Sequence, residues 1–288
     1  MRNRNTKGFT LIEVMITLAL GLIISVAIVQ VMVSNSVTDR LNRAVASAQE
    51  SGRFIVNRMR SEVIMAGRYD PLDGDLERSV DIVQESAFVQ NHPVPLPGDF
   101  AVRAGLGAIE GPNVGDSDTL VVSLQSDRDC RGYTLGYNPG EQFHVVNEYF
   151  LDGRELKCRG FDGRYLRGLK AAAGHNGHAA FTLLDDVESF QVMYGIADSN
   201  VAGDDSARPV QYVNAAQLGA SIAAGGQVVA VRLAILVRGD GQVQVSPSPS
   251  FVLLDEAPIT PGTDHIYKQF EVTIALRNMK NFVRSISI

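Results

Sequence analysis

The stretch Gly8-Phe9-Thr10-Leu11-Ile12-Glu13, with the apolar run that follows it to Val33, decides how this chain is read. Phe9 to Val33 contains one charged residue, Glu13. As a helix the run extends ~37 Å, enough to cross a ~30 Å hydrocarbon layer. Arg2, Arg4 and Lys7 precede it, with no acid among the first eight residues. The positive-inside rule then predicts a cytoplasmic N-terminus and places everything after Val33 outside. A cleavable secretory signal needs small residues after the apolar run, and Val29-Gln30-Val31-Met32-Val33 supplies none. A plain signal anchor fits the hydropathy but leaves Glu13 without a reason. A carboxylate in lipid costs several kcal/mol unless it is paired, which marks it as functional.

Composition limits the rest. The net charge is -6, and without the three basic residues of the leader it is -9, which argues against nucleic acid as a main partner. Apolar residues make up 45% of the 288, enough for a sizeable core beside the N-terminal helix. Cys130 and Cys158 are the two cysteines. In an oxidising compartment they pair most simply with each other, with ~3.6 kcal/mol from loop closure; in a reducing one they are buried free thiols. The apolar run exports the chain beyond it, which favours the disulfide.

Gly8 to Glu13 resembles the processing site of type IV pilins and type II secretion pseudopilins. The resemblance implies that a prepilin peptidase cuts between Gly8 and Phe9 and methylates the new amine of Phe9. It also implies that Glu13 is the assembly contact for a neighbouring subunit's N-terminus. Gly8, lacking a side chain, fits a narrow protease cleft. Gly21 suits close helix approach, and no proline interrupts the run.

The helical period persists beyond the membrane. Val37, Leu41, Val45, Ala48, Gly52, Ile55, Met59, Val63 and Ala66 form an apolar stripe, and Gly67 and Pro71 end it. The helix is thus expected from Phe9 to Ala66. The chain then divides into four parts: a leader at 1–8, a membrane and assembly helix at 9–33, an amphipathic helix at 34–67, and an extracytoplasmic β-rich domain at 68–288.

Gln49-Glu50-Ser51-Gly52-Arg53-Phe54 and Met65-Ala66-Gly67-Arg68-Tyr69 resemble elements of the PilW family of minor pilins. So do Asp185 to Gly195, Val229 to Leu233 with Leu236-Val237-Arg238, and Ala275-Leu276-Arg277-Asn278. The fold implied is α+β and type IV pilin-like: one long N-terminal helix packed on an antiparallel sheet.

Within the outer domain, residues 70–118 read as loop, with a short helix near Leu76 to Gln84. Thr119 to Leu124 is a strand. His144 to Leu151, Glu155 to Gly160 and Arg164 to Leu169 read as a meander turning at Asp152-Gly153 and Asp162-Gly163. Val187 to Tyr194 is a strand, and Asn214 to Ala224 a helix. Val229, Val231, Leu233, Ile235 and Val237 alternate on one face, with Arg232 and Arg238 on the other, and Phe270, Val272, Ile274 and Leu276 do the same against Glu271, Thr273 and Arg277, so two strands present one apolar face to the helix.

No catalytic motif is present, and no cofactor is expected. His175 and His178 lack acidic or thiol neighbours, so an exposed loop outweighs a metal site. Arg154, Lys157, Arg159, Arg164, Arg167 and Lys170 with Phe161 and Tyr165 form a basic, aromatic set. Asp152, Glu155 and Asp162 interleave with it, favouring a solvated hairpin face over DNA binding. Asp198, Asn200, Asp204 and Asp205, with Gly203, fit a turn-rich loop better than a calcium site. The family resemblance implies a non-enzymatic minor pilin that acts in pilus assembly, in a priming or tip complex. Its partners would be other minor and major pilins, the prepilin peptidase, the inner membrane before assembly, and a tip adhesin. A type II secretion pseudopilin of the J type and a DNA-uptake pilus component are the alternatives.

Overall fold

The computed structural model describes residues 8–113, 115–198 and 208–279. Arg2, Arg4 and Lys7 lie outside them, as do Asn200, Gly203, Asp204 and Asp205 of the acidic loop. Helix α1, Leu11–Val63, is one unbroken rod of 53 residues, ~80 Å long. Its buried stripe is Ala44, Ala48, Gly52, Ile55, Met59 and Val63, at the expected steps of three and four. The stripe starts later than the sequence pattern does. Val37 and Leu41 are exposed, Val45 is half-buried, and Ala44 is the first buried position. Cover begins there because Gly239 abuts the Ala44 carbonyl and the Asp240 N–H donates to Ser47 Oγ at 2.9 Å.

The strands form two antiparallel sheets where one was expected. The first, in order β1-β2-β3-β4, holds Leu120–Ser126, Phe143–Asp152, Glu155–Asp162 and Phe181–Leu184. The second contains β5 (Val187–Asp198), β6 (Gln211–Val213), β7 (Gly226–Arg238) and β8 (Tyr267–Ala275), in order β6-β5-β7-β8. Asp152 pairs with Glu155 across a two-residue turn in which Gly153 has φ +63°, as the Asp-Gly signal predicts.

The second Asp-Gly is not a hairpin. Asp162 Oδ1 accepts the Arg164 N–H at 2.8 Å and caps the short helix α3, Gly163–Leu166. The strand expected over Arg164 to Leu169 is therefore absent, and β3 pairs with β4 instead. Helix α2 spans Ile82–Asn91, later than expected, because the Asp81 carboxylate caps it through the N–H groups of Val83 and Gln84. Leu76, expected in that helix, is buried and bridges to Gln142. Helix α4, Ala215–Ala223, starts at its Asn214 cap as read.

Strand β7 is buried on both faces, against the expectation of one. Val229, Val231, Leu233, Ile235 and Val237 join the main core, while Ala234 and Leu236 lie under Leu253 and Tyr267. The segment around Phe251 and Ile259 supplies this second cover. Phe270 and Val272 of β8 pack on the helix stripe, and Gly52 is where they come closest.

Most of residues 68–118 lacks regular structure and is held by buried charge. Arg164 and Glu85 have fully buried side chains and pair bidentately, Nε to Oε1 and Nη2 to Oε2 both at 2.8 Å. Glu77 also bonds Arg164, and the Tyr69 hydroxyl donates to Glu85 Oε2 at 2.6 Å. Burial alone would raise the Glu85 pKa. The Arg164 bonds and the nearby positive charge outweigh burial and hold the group below the usual carboxylate range.

This packing can be tested at two points. A Cβ at position 52 would overlap the Phe270 ring, so Gly52→Val should cost ~1–3 kcal/mol in denaturant unfolding of the micelle-bound chain. Phe270→Leu should recover part of that loss. Arg164→Met strands Glu85 as a buried lone charge and should cost ~3–5 kcal/mol, with Glu85→Leu in the same chain recovering most of it.

Candidate assembly site

The apolar face of α1 below the domain has no cover among the described residues. Phe9, Leu11, Ile12 and Met15 are 87, 78, 67 and 62% exposed, and the most apolar window of the helix is 0% buried. Glu13 sits in this surface. The Thr10 N–H and hydroxyl both donate to Glu13 Oε2, at 3.1 and 3.2 Å, while the Glu13 N–H donates to Thr10 Oγ1 at 3.4 Å. This is a reciprocal capping box, which starts the helix at Leu11. Its signature, Thr10-x-x-Glu13, is legible in the sequence. Glu13 Oε1 takes no hydrogen bond among the described residues. Gly8 and Gly21 have open space where a Cβ would stand.

The upper half of α1 is clamped to the first sheet by polar groups. Arg58 pairs with Glu62 one turn on, and the Tyr149 hydroxyl donates to Glu62. Arg58 Nη2 also donates to the Cys130 carbonyl at 2.9 Å. Cys130 and Cys158 form a disulfide, with Cα atoms 6.4 Å apart, which ties the loop after β1 to β3. Beside it, Arg131 pairs with buried Asp129 at 2.6 Å and donates to the carbonyls of Gly160, His175, His178 and Ala179. An open groove of 520 Å³ runs between Phe54 of α1, Met65 in the turn after it, and Phe181 to Leu183 of β4. Its charged residues are Arg58 and Glu62, paired with each other, Asp129 and Arg131, likewise paired, and Arg128, which pairs with Asp127 at 3.5 Å; no histidine lines it.

The other candidates disperse. Arg154 pairs with Glu188, Lys157 with Asp152 and Glu155, and Arg159 with Glu148 at 3.9 Å. Arg167 lies over the Phe88 ring and Lys170 over the Tyr137 ring. Arg164, expected on a solvated face, is in the core, as is Phe161; Tyr165 packs beside Phe161. Arg154, Lys157, Arg159 and Arg164 are thus paired with acids of the same chain, and Arg167 and Lys170 lie against aromatic rings. His175 and His178 are exposed, with the His175 ring stacked on Tyr133 at 4.1 Å. Among the described residues no three potential metal ligands converge.

Sequence reading missed a buried Ser123–His144 contact, Oγ to Nε2 at 2.7 Å, near Glu85. All three side chains are fully buried, so no substrate reaches them. Burial, with Arg167 and Arg164 nearby, pushes the His144 pKa down to about 3. Burial, with Glu110 and Glu256 nearby, pushes Asp118 up to about 7, even though it accepts N–H bonds from Gly111 and Val192. The two groups act on stability with opposite signs. His144 takes up its proton only on unfolding, so stability is lost as pH falls from about 6.5 towards 3. Asp118 is protonated only in the fold, so its contribution is lost as pH rises from about 4 through 7. Relative to wild type, the unfolding midpoint of Asp118→Asn should gain most above pH 7, and that of His144→Gln below pH 5. Thermal unfolding across this range checks both.

Two family models match the chain. Residues 3–29 match the prokaryotic N-terminal methylation motif. Residues 145–278, which hold β2 to β8, match the type IV pilus-assembly protein W family, PilW. No curated protein matches. Among solved structures, a type IV-like pilin from Thermus thermophilus aligns at 16% identity and a TM-score of 0.33, covering 60% of this chain and 82% of its own. Residues 145–278 thus carry a PilW domain behind an N-terminal methylation motif, on a chain whose one long helix is laid on antiparallel sheets.

Proposed function

We propose that this chain is a minor pilin that helps to start pilus assembly. Prepilin peptidase cuts between Gly8 and Phe9 and methylates the amine of Phe9, and the apolar helix holds the product in the inner membrane with its domain outside. The chain then joins other minor and major pilins through that helix and passes into the pilus, where a tip complex with an adhesin is its place. Structure, and not catalysis, is its role. The observation that carries the reading is Glu13: a carboxylate on the exposed apolar half of the helix, bonded among the described residues only by Thr10. Thr10 supplies neutral donors. The charge itself still needs a cation once the helix leaves water, and the methylated amine of a neighbour provides one. Pairing by Oε1 leaves the helix cap intact.

Intact mass and N-terminal sequencing should find N-methyl-phenylalanine at position 9. A chain that keeps Met1 in cells with active peptidase would refute the processing step. Glu13→Ala should lower surface pilus number and co-purification with other pilins by an order of magnitude, while Glu13→Asp keeps part of both. Equal pilus numbers in all three would remove the charge pairing.

A further inference from the structure

Between the apolar run and the first covered residue of α1 lies a bare segment, Ser34 to Arg43, every residue of which is exposed. It is ~15 Å of helix. Val37 and Leu41 continue the apolar side, and Met32, Asn35, Ser36, Asp39, Arg40 and Arg43 line a shallow concavity beside it. Neither Arg40 nor Arg43 has an ion pair or hydrogen bond among the described residues. Asp39 is the one acid in the segment.

We propose that Ser34 to Arg43 is a neck that sits in the lipid headgroup layer on the domain side, with Arg40 and Arg43 binding phospholipid phosphates. The inference rests on the membrane-anchored reading above. Four observations favour lipid as the occupant. The neck is continuous with the lipid-spanning run. Its mixture of aliphatic and arginine side chains suits an interface, where arginine extends its stem along apolar surface and places its head among phosphates. Its cations form no ion pair among the described residues. The rest of the chain, from Ile64 onward, has 18 basic and 28 acidic residues, net -10, and would be repelled by an anionic surface. The neck sets that acidic domain ~15 Å above the hydrocarbon edge, nearly two Debye lengths of ~8 Å at physiological salt. A second copy on the same anchor carries its acidic domain at the same height, and so presents neck to neck.

The test uses the full chain in detergent micelles supplied with phosphatidylglycerol, and native mass spectrometry to count retained lipid. Each neck arginine removed should lower retention about fivefold, so Arg40→Gln with Arg43→Gln should nearly abolish it. Asp39→Asn should raise it. Arg53→Gln with Arg60→Gln, higher on the same helix, should leave it unchanged. Equal losses from the two arginine pairs would overturn the proposal. Depth is read separately, from spin labels on added single cysteines in liposomes of phosphatidylglycerol and phosphatidylcholine. Ser36→Cys and Asn42→Cys should report headgroup depth, with Val26→Cys in hydrocarbon. Labels 36 and 42 in bulk water, or against protein with lipid excluded, overturn the neck but leave the anchor standing. Label 26 in water overturns the anchor, and the neck with it.

Discussion

A single helix serves two environments here, and the rest of the structure depends on how that is arranged. From Leu11 to Val33 its side chains are mostly apolar and exposed; from Ala44 to Val63 its stripe is sealed under a domain. A continuous α-helix transmits the position of one half to the other, since its hydrogen bonds run within the segment and no proline breaks them. The close contact at Gly52 is what lets the sheet seal the upper half. With no side chain there, the Phe270 ring lies directly on the helix backbone, and β8 and β7 follow it down to bury Ile55, Met59 and Val63. The Arg58–Glu62–Tyr149 group then fixes the rotation of the rod against the first sheet. Among the described residues the domain's cover stops at Gly239 and Asp240, and the lower half lies exposed below it.

The loops are ordered by charge where they lack ladder hydrogen bonds. Arg164 reaches from α3 to Glu85 on α2 and to Glu77, and Arg131 gathers four carbonyls and a carboxylate. A planar guanidinium suits this, since its five donors fan out in a fixed plane and satisfy several separated acceptors at once. Such pairs add little net stability compared with an apolar core, but leaving one partner alone is costly. They therefore fix which loop packs on which. The disulfide adds a covalent tie at the same place, so the exposed Tyr133 and His175 ride on a rigid base.

What periodicity encodes is legible in the sequence, and what distant pairing encodes is not. Helix α1, the long strands β7 and β8, the Asp152-Gly153 turn and the Asn214 cap each carry a local signal. The stripe reads too far toward the membrane because Val37 and Leu41 keep the helical period while the cover ends at Ala44. Asp162-Gly163 misleads because aspartate favours a helix N-cap as much as a hairpin turn, and the deciding context is Arg164, whose partner Glu85 lies 79 positions away. That same distance hides the burial of Arg164 inside a run of basic residues that looks solvated. The split into two sheets is equally hidden, since alternation shows that a strand has faces and not which strand lies beside it. The processing motif is local and so fully visible. The Thr10-x-x-Glu13 box is as local, but the odd charge draws attention to the glutamate and away from the threonine that holds it.

Glu85 and Glu13 show how one residue type supports opposite ends. Both are carboxylates meant to leave water. Glu85 has its cation in the same chain, 2.8 Å away, and a tyrosine hydroxyl as well. Its charge is neutralised within the fold, and nothing outside the domain can compete for it. Among the described residues Glu13 has only Thr10, which satisfies one oxygen and neutralises nothing. On the proposed reading, with this helix in lipid, an arrangement that brings an amine beside Glu13 gains a compensation that Thr10 does not supply. A stable monomer with a paired Glu13 would lose that drive to associate. On the proposed reading the charge at Glu13 thus favours assembly, as the matched one at Glu85 favours a fixed fold.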